Sequence, residues 1–298
     1  MKKLCLFSLL LFLAVSPLFG DFGDILVEAD NLHHQEDYAQ GRQFLESSLS
    51  QAGSGAERAE LYWRLARAVL NLGDEAEDAG ATEEELLELF EEGEALAEKA
   101  IEADPGNHLG YYWKSANIGR WGQTKGILNS LFKAKPMKEL LEQALDADAG
   151  HADSYYVLGQ LYEQLPGKPL SFGKKDYAVS LGRLAVDLHE ASVKSGQERE
   201  INYDFYTELA KHLYARDWEA DKRYKEQKKK QDKLANAATP LEKGFFYESE
   251  SELQATSDRE EARKLLLWTI GKLESLSRPK SGQTADLEEA REVLASWN

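Results

Sequence analysis

Side chains capable of covalent chemistry are present in this chain, but not at the spacings such chemistry needs. The six histidines are His33, His34, His108, His151, His189 and His212, and no two stand four residues apart. HExxH is absent as well, so no helix face offers a paired-imidazole metal site. Neither GxSxG nor a P-loop occurs, and no GxGxxG follows a strand pattern. The acidic run "DEAED" (residues 74–78) lacks the Gly-centred ligand spacing of an EF-hand. The single cysteine, Cys5, lies at the extreme N-terminus, which leaves the body of the chain without thiolate chemistry or disulfides. These absences predict a protein that is not an enzyme, with no catalytic residues, metal or cofactor. His108 and His151 fall at equivalent turns and are expected to make local capping or turn contacts.

The charge balance narrows the partners. With 53 acidic and 36 basic residues the net charge is -17, which repels phosphate backbones and excludes nucleic acid as a natural partner. The N-terminus has Lys2 and Lys3, an apolar run from Leu4 to Val15, then Ser16, Pro17 and Gly20. That layout predicts a signal peptide at 1–20 and hence a periplasmic or secreted protein. Cys5 lies near the start of the apolar run rather than at its end, which argues against a lipid anchor. No later stretch is long enough to span a bilayer.

The elements that would position a site show up as a repeat. The spacing large, Leu at +3, small at +4, large at +7 recurs as Tyr62, Leu65, Ala66, Val69; as Tyr155, Leu158, Gly159, Tyr162; and as Tyr206, Leu209, Ala210, Leu213. Weaker copies are Ile25, Glu28, Ala29, Leu32 and Tyr111, Lys114, Ser115, Ile118. A second triplet follows four of them: Gly41, Leu45, Ser48; Gly93, Ala97, Ala100; Met137, Leu141, Ala144; and Ala178, Gly182, Ala185. Turn sequences "EADPGNH" and "DADAGH" close two of the units.

This pattern resembles the tetratricopeptide repeat (TPR), a helix-turn-helix unit of about 34 residues, over roughly residues 22 to 230. The resemblance implies an all-α, right-handed helical solenoid of about five hairpins, with Gly159 at the crossing of the two helices of its own unit. Spacings of 37, 49, 44 and 51 residues between first helices require long insertions between paired helices. One should lengthen a second helix, with Thr82 and Glu85 as a capping box and Leu86 and Phe90 continuing its apolar stripe. Another places a loop after Arg120, and a third an ordered loop at 166–173. The combination is similar to the regulator-of-microtubule-dynamics type and to the T-component of TRAP transporters.

The chain thus divides into the leader 1–20, the solenoid 21–240 and a helical C-terminal cap 241–298. The basic run from Lys222 to Lys233 reads as a solvated helix face, with pairing to the acidic stretch 75–94 as a further option. In a TPR array the residue after each large position faces the concave groove. The resemblance therefore selects Trp63, Tyr112 and Tyr156 as an aromatic ladder, with Arg67, Asn71, Arg120, Gln160, Glu163, Lys211 and Tyr214 around it. Such a ladder suits a protein or peptide partner; a small ligand in an enclosed pocket, as in a transporter accessory protein, is the alternative. Insertions folding back over the groove would instead bury Trp63 and Tyr112.

Overall fold

The computed structural model describes residues 21–253 and 255–297, so the leader assigned to 1–20 lies outside the described residues. All regular structure within them is helical, and the chain is all-α. The helices are α1 (Phe22–His34), α2 (Tyr38–Ser48), α3 (Gly55–Asp78), α4 (Glu83–Ala103), α5 (His108–Lys125), the short α6 (Ile127–Ser130), α7 (Ala134–Ala147), α8 (Ala152–Gln164), α9 (Lys175–Ser195), α10 (Asp204–Arg216), α11 (Ala220–Ala235), α12 (Pro240–Phe246), α13 (Asp258–Glu274) and α14 (Ser281–Ser296). Neighbours in sequence are neighbours in space from α1 to α10, with α3 on α4, α4 on α5, α5 on α7 and α8 on α9 the most extensive pairs. No helix among the described residues is long and apolar enough to cross a membrane.

Local signals explain these elements. Thr82 accepts from the Glu85 backbone while Glu85 reaches back to the Thr82 amide, the expected capping box that starts α4. Leu86, Phe90, Gly93, Ala97 and Ala100 then form its buried face. All twelve second-helix positions named above are buried, and so are the small residues Ala29, Ala66, Ser115, Gly159 and Ala210 of the first helices. One boundary differs from expectation. The loop placed after Arg120 begins only at Gly126, because α5 continues through Gly122, which lies against Ser130. Gly126 ends it with a φ of 82°, in the region that favours glycine.

Gly159 answers to a different neighbour from the one expected. A Cβ there would sit 2.8 Å from His212 Nε2 of α10 and 3.6 Å from the Ala178 carbonyl of α9. The tightest approach is therefore to the next unit, with the partner helix second. His212 is 1% exposed and has no room to retreat. Gly159→Val is expected to destabilise by about 3 kcal/mol, the upper end of overpacking costs, as measured by urea denaturation; an unchanged midpoint would refute the close crossing.

The C-terminal third departs from the simple series. α10 packs on α13 rather than on the helix that follows it, while α11 and α12 fold back onto the 3-10 turn Tyr247–Ser249 and onto α9. A buried ion cluster joins them. Arg216 pairs with Asp258 and Glu248, Arg223 with Asp258 and Glu261, Arg183 with Glu248 and Glu261, and Lys230 with Glu248 and Asp176. The basic run is thus only partly a solvated face: Arg223 and Lys230 are 2% and 3% exposed. Among the described residues no ion pair within the chain joins it to the acidic stretch, whose Glu77, Glu83, Glu92 and Glu94 take Arg120, Lys125, Arg42 and Lys133.

Candidate binding groove

Helices α3, α5, α8 and α10 contribute polar and aromatic residues to two adjoining cavities. The larger, about 830 Å³, is lined by Asn71, Tyr112, Arg120, Tyr156, Gln160 and Lys211 among the expected residues. A second, about 570 Å³, is lined by Trp63, Arg67, Asn71 and Tyr112. Asn71 and Tyr112 belong to both, so the structure gathers eight of the ten. Glu163 and Tyr214 line neither.

Each wall residue is held by named contacts. Trp63 is 5% exposed, and the Arg64 and Arg67 guanidinium groups lie 4.1 and 5.1 Å from its ring centroid. Arg67 donates to Asp30 at 2.7 Å. Asn71 meets His33 at 3.4 Å, and burial depresses His33 to a pKa of about 3. Tyr112 stands edge-on to Trp113 and His151. His151 in turn bonds Ser154, the local hydrogen bond expected of it, whereas His108 meets the His151 ring of the equivalent turn, with its centroid 4.8 Å away, rather than bonding within its own turn. Arg120 is fixed by Asp74 and Glu77.

The α10 end of the larger cavity is acidic. Tyr156 Oη donates to Asp204, and Gln160 donates to Tyr156 Oη at 3.1 Å. Lys211 bonds Glu208 and, at 3.1 Å, Glu289 of α14. Burial first, and then the neighbouring Glu208 charge, raise Asp204 to about 8. Burial also raises Glu208, partly opposed by Lys211. Burial and Glu208 together raise Glu163. Asp286, desolvated and beside Glu289, is raised to about 6. Strong shifts of this kind concentrate where a site is arranged for a ligand or a reaction.

The C-terminal helix reaches across these cavities. The Glu36 carboxylate accepts from the Ser281 and Gly282 amides at the start of α14, both at 3.3 Å. Along the helix Glu289 meets Lys211, and just past its end Trp297 stacks on Tyr214 at 4.1 Å with ring planes 2° apart. Tyr214 is therefore covered by the chain itself. Ala285 and Glu289 line the larger cavity together with Ser130, Leu131 and Lys133 of the insertion after α5. Sequence reasoning missed Asp204, Glu208, Trp113 and Glu289. Asp204, Glu208 and Lys211 stand at i, i+4 and i+7 on one helix face, a legible signal; Glu289 offered none.

Comparison with known proteins sets this geometry in context. The model of the family "Regulator of microtubule dynamics protein 1-3" matches residues 25–164, and that of a domain of unknown function, DUF4272, matches 197–298. Regulator of microtubule dynamics protein 3 of Mus musculus is 26% identical over 209 residues, covering 65% of this chain and 43% of that protein. The Xenopus laevis protein of the same name is 28% identical over 150 residues, covering 50% and 31%. The chain thus spans less than half the length of these curated relatives. The crystal structure of MamA protein aligns at 14% identity with a TM-score of 0.31, over 88% of this chain and all of that one. These matches overturn the expected periplasmic or secreted location: the named relatives, from mouse, frog, rat and cattle, are regulators of microtubule dynamics and not periplasmic or secreted proteins. The chain is a helical protein distantly similar to those regulators.

Proposed function

We propose that the protein is a non-catalytic helical scaffold that binds a segment of a protein partner in the groove walled by α3, α5, α8 and α10. In this reading the TPR-like hairpins of 21–240 form the binding array and 241–298 caps it. The observation that supports it is the gathering of Tyr112, Tyr156, Asn71, Arg120, Gln160 and Lys211 around one cavity of about 830 Å³. Aromatic anchors among a few polar groups suit a docked peptide or helix. A small ligand is a second reading, favoured by one observation: α14 lines the same cavity, and its volume lies within the roughly 300–1,000 Å³ of small-molecule sites.

The test is affinity capture from the native host, followed by titration of the partner so identified. Tyr156→Ala is expected to weaken binding at least tenfold, the loss of one central aromatic anchor. Trp63→Ala, already beneath two arginines, should weaken it less. Unchanged affinity in both variants would remove the groove from the account. A small molecule co-purifying with wild type and lost from Tyr156→Ala, detected by mass spectrometry, would establish the second reading instead.

A further inference from the structure

Two charge clusters in this protein, one buried and one only partly so, differ in one respect. Around Arg216, four cations (Arg183, Arg216, Arg223, Lys230) face four carboxylates (Asp176, Glu248, Asp258, Glu261). Around Lys211, Asp204, Glu208 and Glu289 bring carboxylate oxygens within 4.8 Å of one another, and the Lys211 ammonium pairs with two of them, Glu208 and Glu289. The other cations on that cavity wall are engaged elsewhere, Arg120 with Asp74 and Glu77, and Lys133 with Glu94. Glu208 is 3% exposed, and its Oε2 is buried with no hydrogen-bond partner within 3.5 Å, although the Gln160 amide lies near enough to favour the charged carboxylate. An orphaned buried carboxylate oxygen costs free energy that a ligand can recover.

The remaining wall of the same cavity is aromatic, formed by Tyr112, Trp113 and Tyr156. Carboxylates beside ring faces match a cationic group in both respects, through charge-assisted hydrogen bonds and through the ring quadrupole. Resting on the groove reading above, we propose that the Asp204–Glu208–Glu289 end of the cavity receives the ammonium or guanidinium of a Lys or Arg side chain on the docked protein segment. The two free oxygen positions, on Glu208 and Asp204, are its acceptors, and Lys211 keeps Glu208 and Glu289 in place. Asp204 must be ionised to act. The groups that face it are Tyr156 and Gln160 of α8, Glu208 and Lys211 of α10, and Asp286 and Glu289 of α14; with its pKa raised to about 8, cation binding strengthens as pH rises through that value.

The experiment titrates the full chain with acetyl-Ala-Arg-Ala-amide, acetyl-Ala-Lys-Ala-amide and the neutral norleucine analogue, read by tryptophan fluorescence, with Nile red as an uncharged reporter of the cavity. The cationic peptides are expected to bind at least tenfold tighter than the norleucine peptide. Glu208→Gln and Asp204→Asn should each abolish that preference while Nile red binding changes less than twofold; should one variant fail to fold by circular dichroism, the other carries the test. Equal binding of all three peptides with Nile red retained overturns the charge assignment and leaves the groove standing. Loss of Nile red and peptide binding alike from wild type overturns both. Micromolar binding of CaCl2 without discrimination among the peptides makes the cluster a metal site and overturns the proposal.

Discussion

Asp258→Ala is expected to destabilise the protein by about 3–5 kcal/mol, the cost of removing one partner from a buried ion pair. The carboxylate is 0% exposed and accepts from Arg216 Nε at 2.7 Å, from a second Arg216 nitrogen at 2.8 Å and from the Trp218 amide at 2.9 Å. Arg223 Nε lies 3.0 Å away. Truncation would leave two guanidinium groups, each about 1% exposed at the side chain, with one carboxylate fewer. It would also remove a favourable anion from the first turn of α13. A midpoint shift in urea checks this; a loss below about 1 kcal/mol would mean that water enters the cluster. The pH response follows. Burial disfavours the Glu248 charge, but Arg216, Lys230 and Arg183 outweigh it and hold its pKa well below the usual 4.5. The unfolded chain therefore takes the proton first, so this stabilisation is complete above about pH 4.5 and is lost as pH falls further.

Why the repeat was legible while this cluster was not comes down to range. Tyr155, Leu158, Gly159 and Tyr162 share one face of one helix, so a 3.6-residue period announces their burial, and all four are buried. Glu85 and Thr82 are three residues apart, and their reciprocal bonds need no tertiary context. Arg223 and Lys230 also share a helix face, but burial of cations depends on carboxylates brought from α9, α13 and the turn at Tyr247–Ser249, far along the chain. Hydropathy reads such a helix as solvated. Similarly, the cavity-lining residues of α3, α5, α8 and α10 follow a helical spacing that local sequence carries. That α14 would cross them, placing Glu289 on Lys211 and Trp297 on Tyr214, depends on a path of the chain after α10 that no local period encodes.

Asp204→Asn is expected to do the opposite of Asp258→Ala and raise stability at pH 8. Asp204 is half-buried, desolvated and close to Glu208, which raises its pKa from 3.8 to about 8 in the folded protein. The folded state therefore holds the proton more tightly than the unfolded chain, so the associated stability is present below about pH 4 and declines as pH rises toward about 8. A shift of that size corresponds to about 6 kcal/mol, and water reaching a half-buried carboxylate screens part of it, leaving about 2–3 kcal/mol by which the neutral amide should win at pH 8. The amide oxygen can still accept from Tyr156, so the substitution preserves the hydrogen bond. Urea titrations of both proteins from pH 4 to pH 9 measure the difference; parallel curves would show that Asp204 ionises freely in the folded protein. Retaining a carboxylate that costs stability at neutral pH makes physical sense when something binds to it. The gain in stability and the loss of cation preference should therefore appear together in this one variant, whereas at Asp258 every substitution that removes the charge should simply weaken the fold.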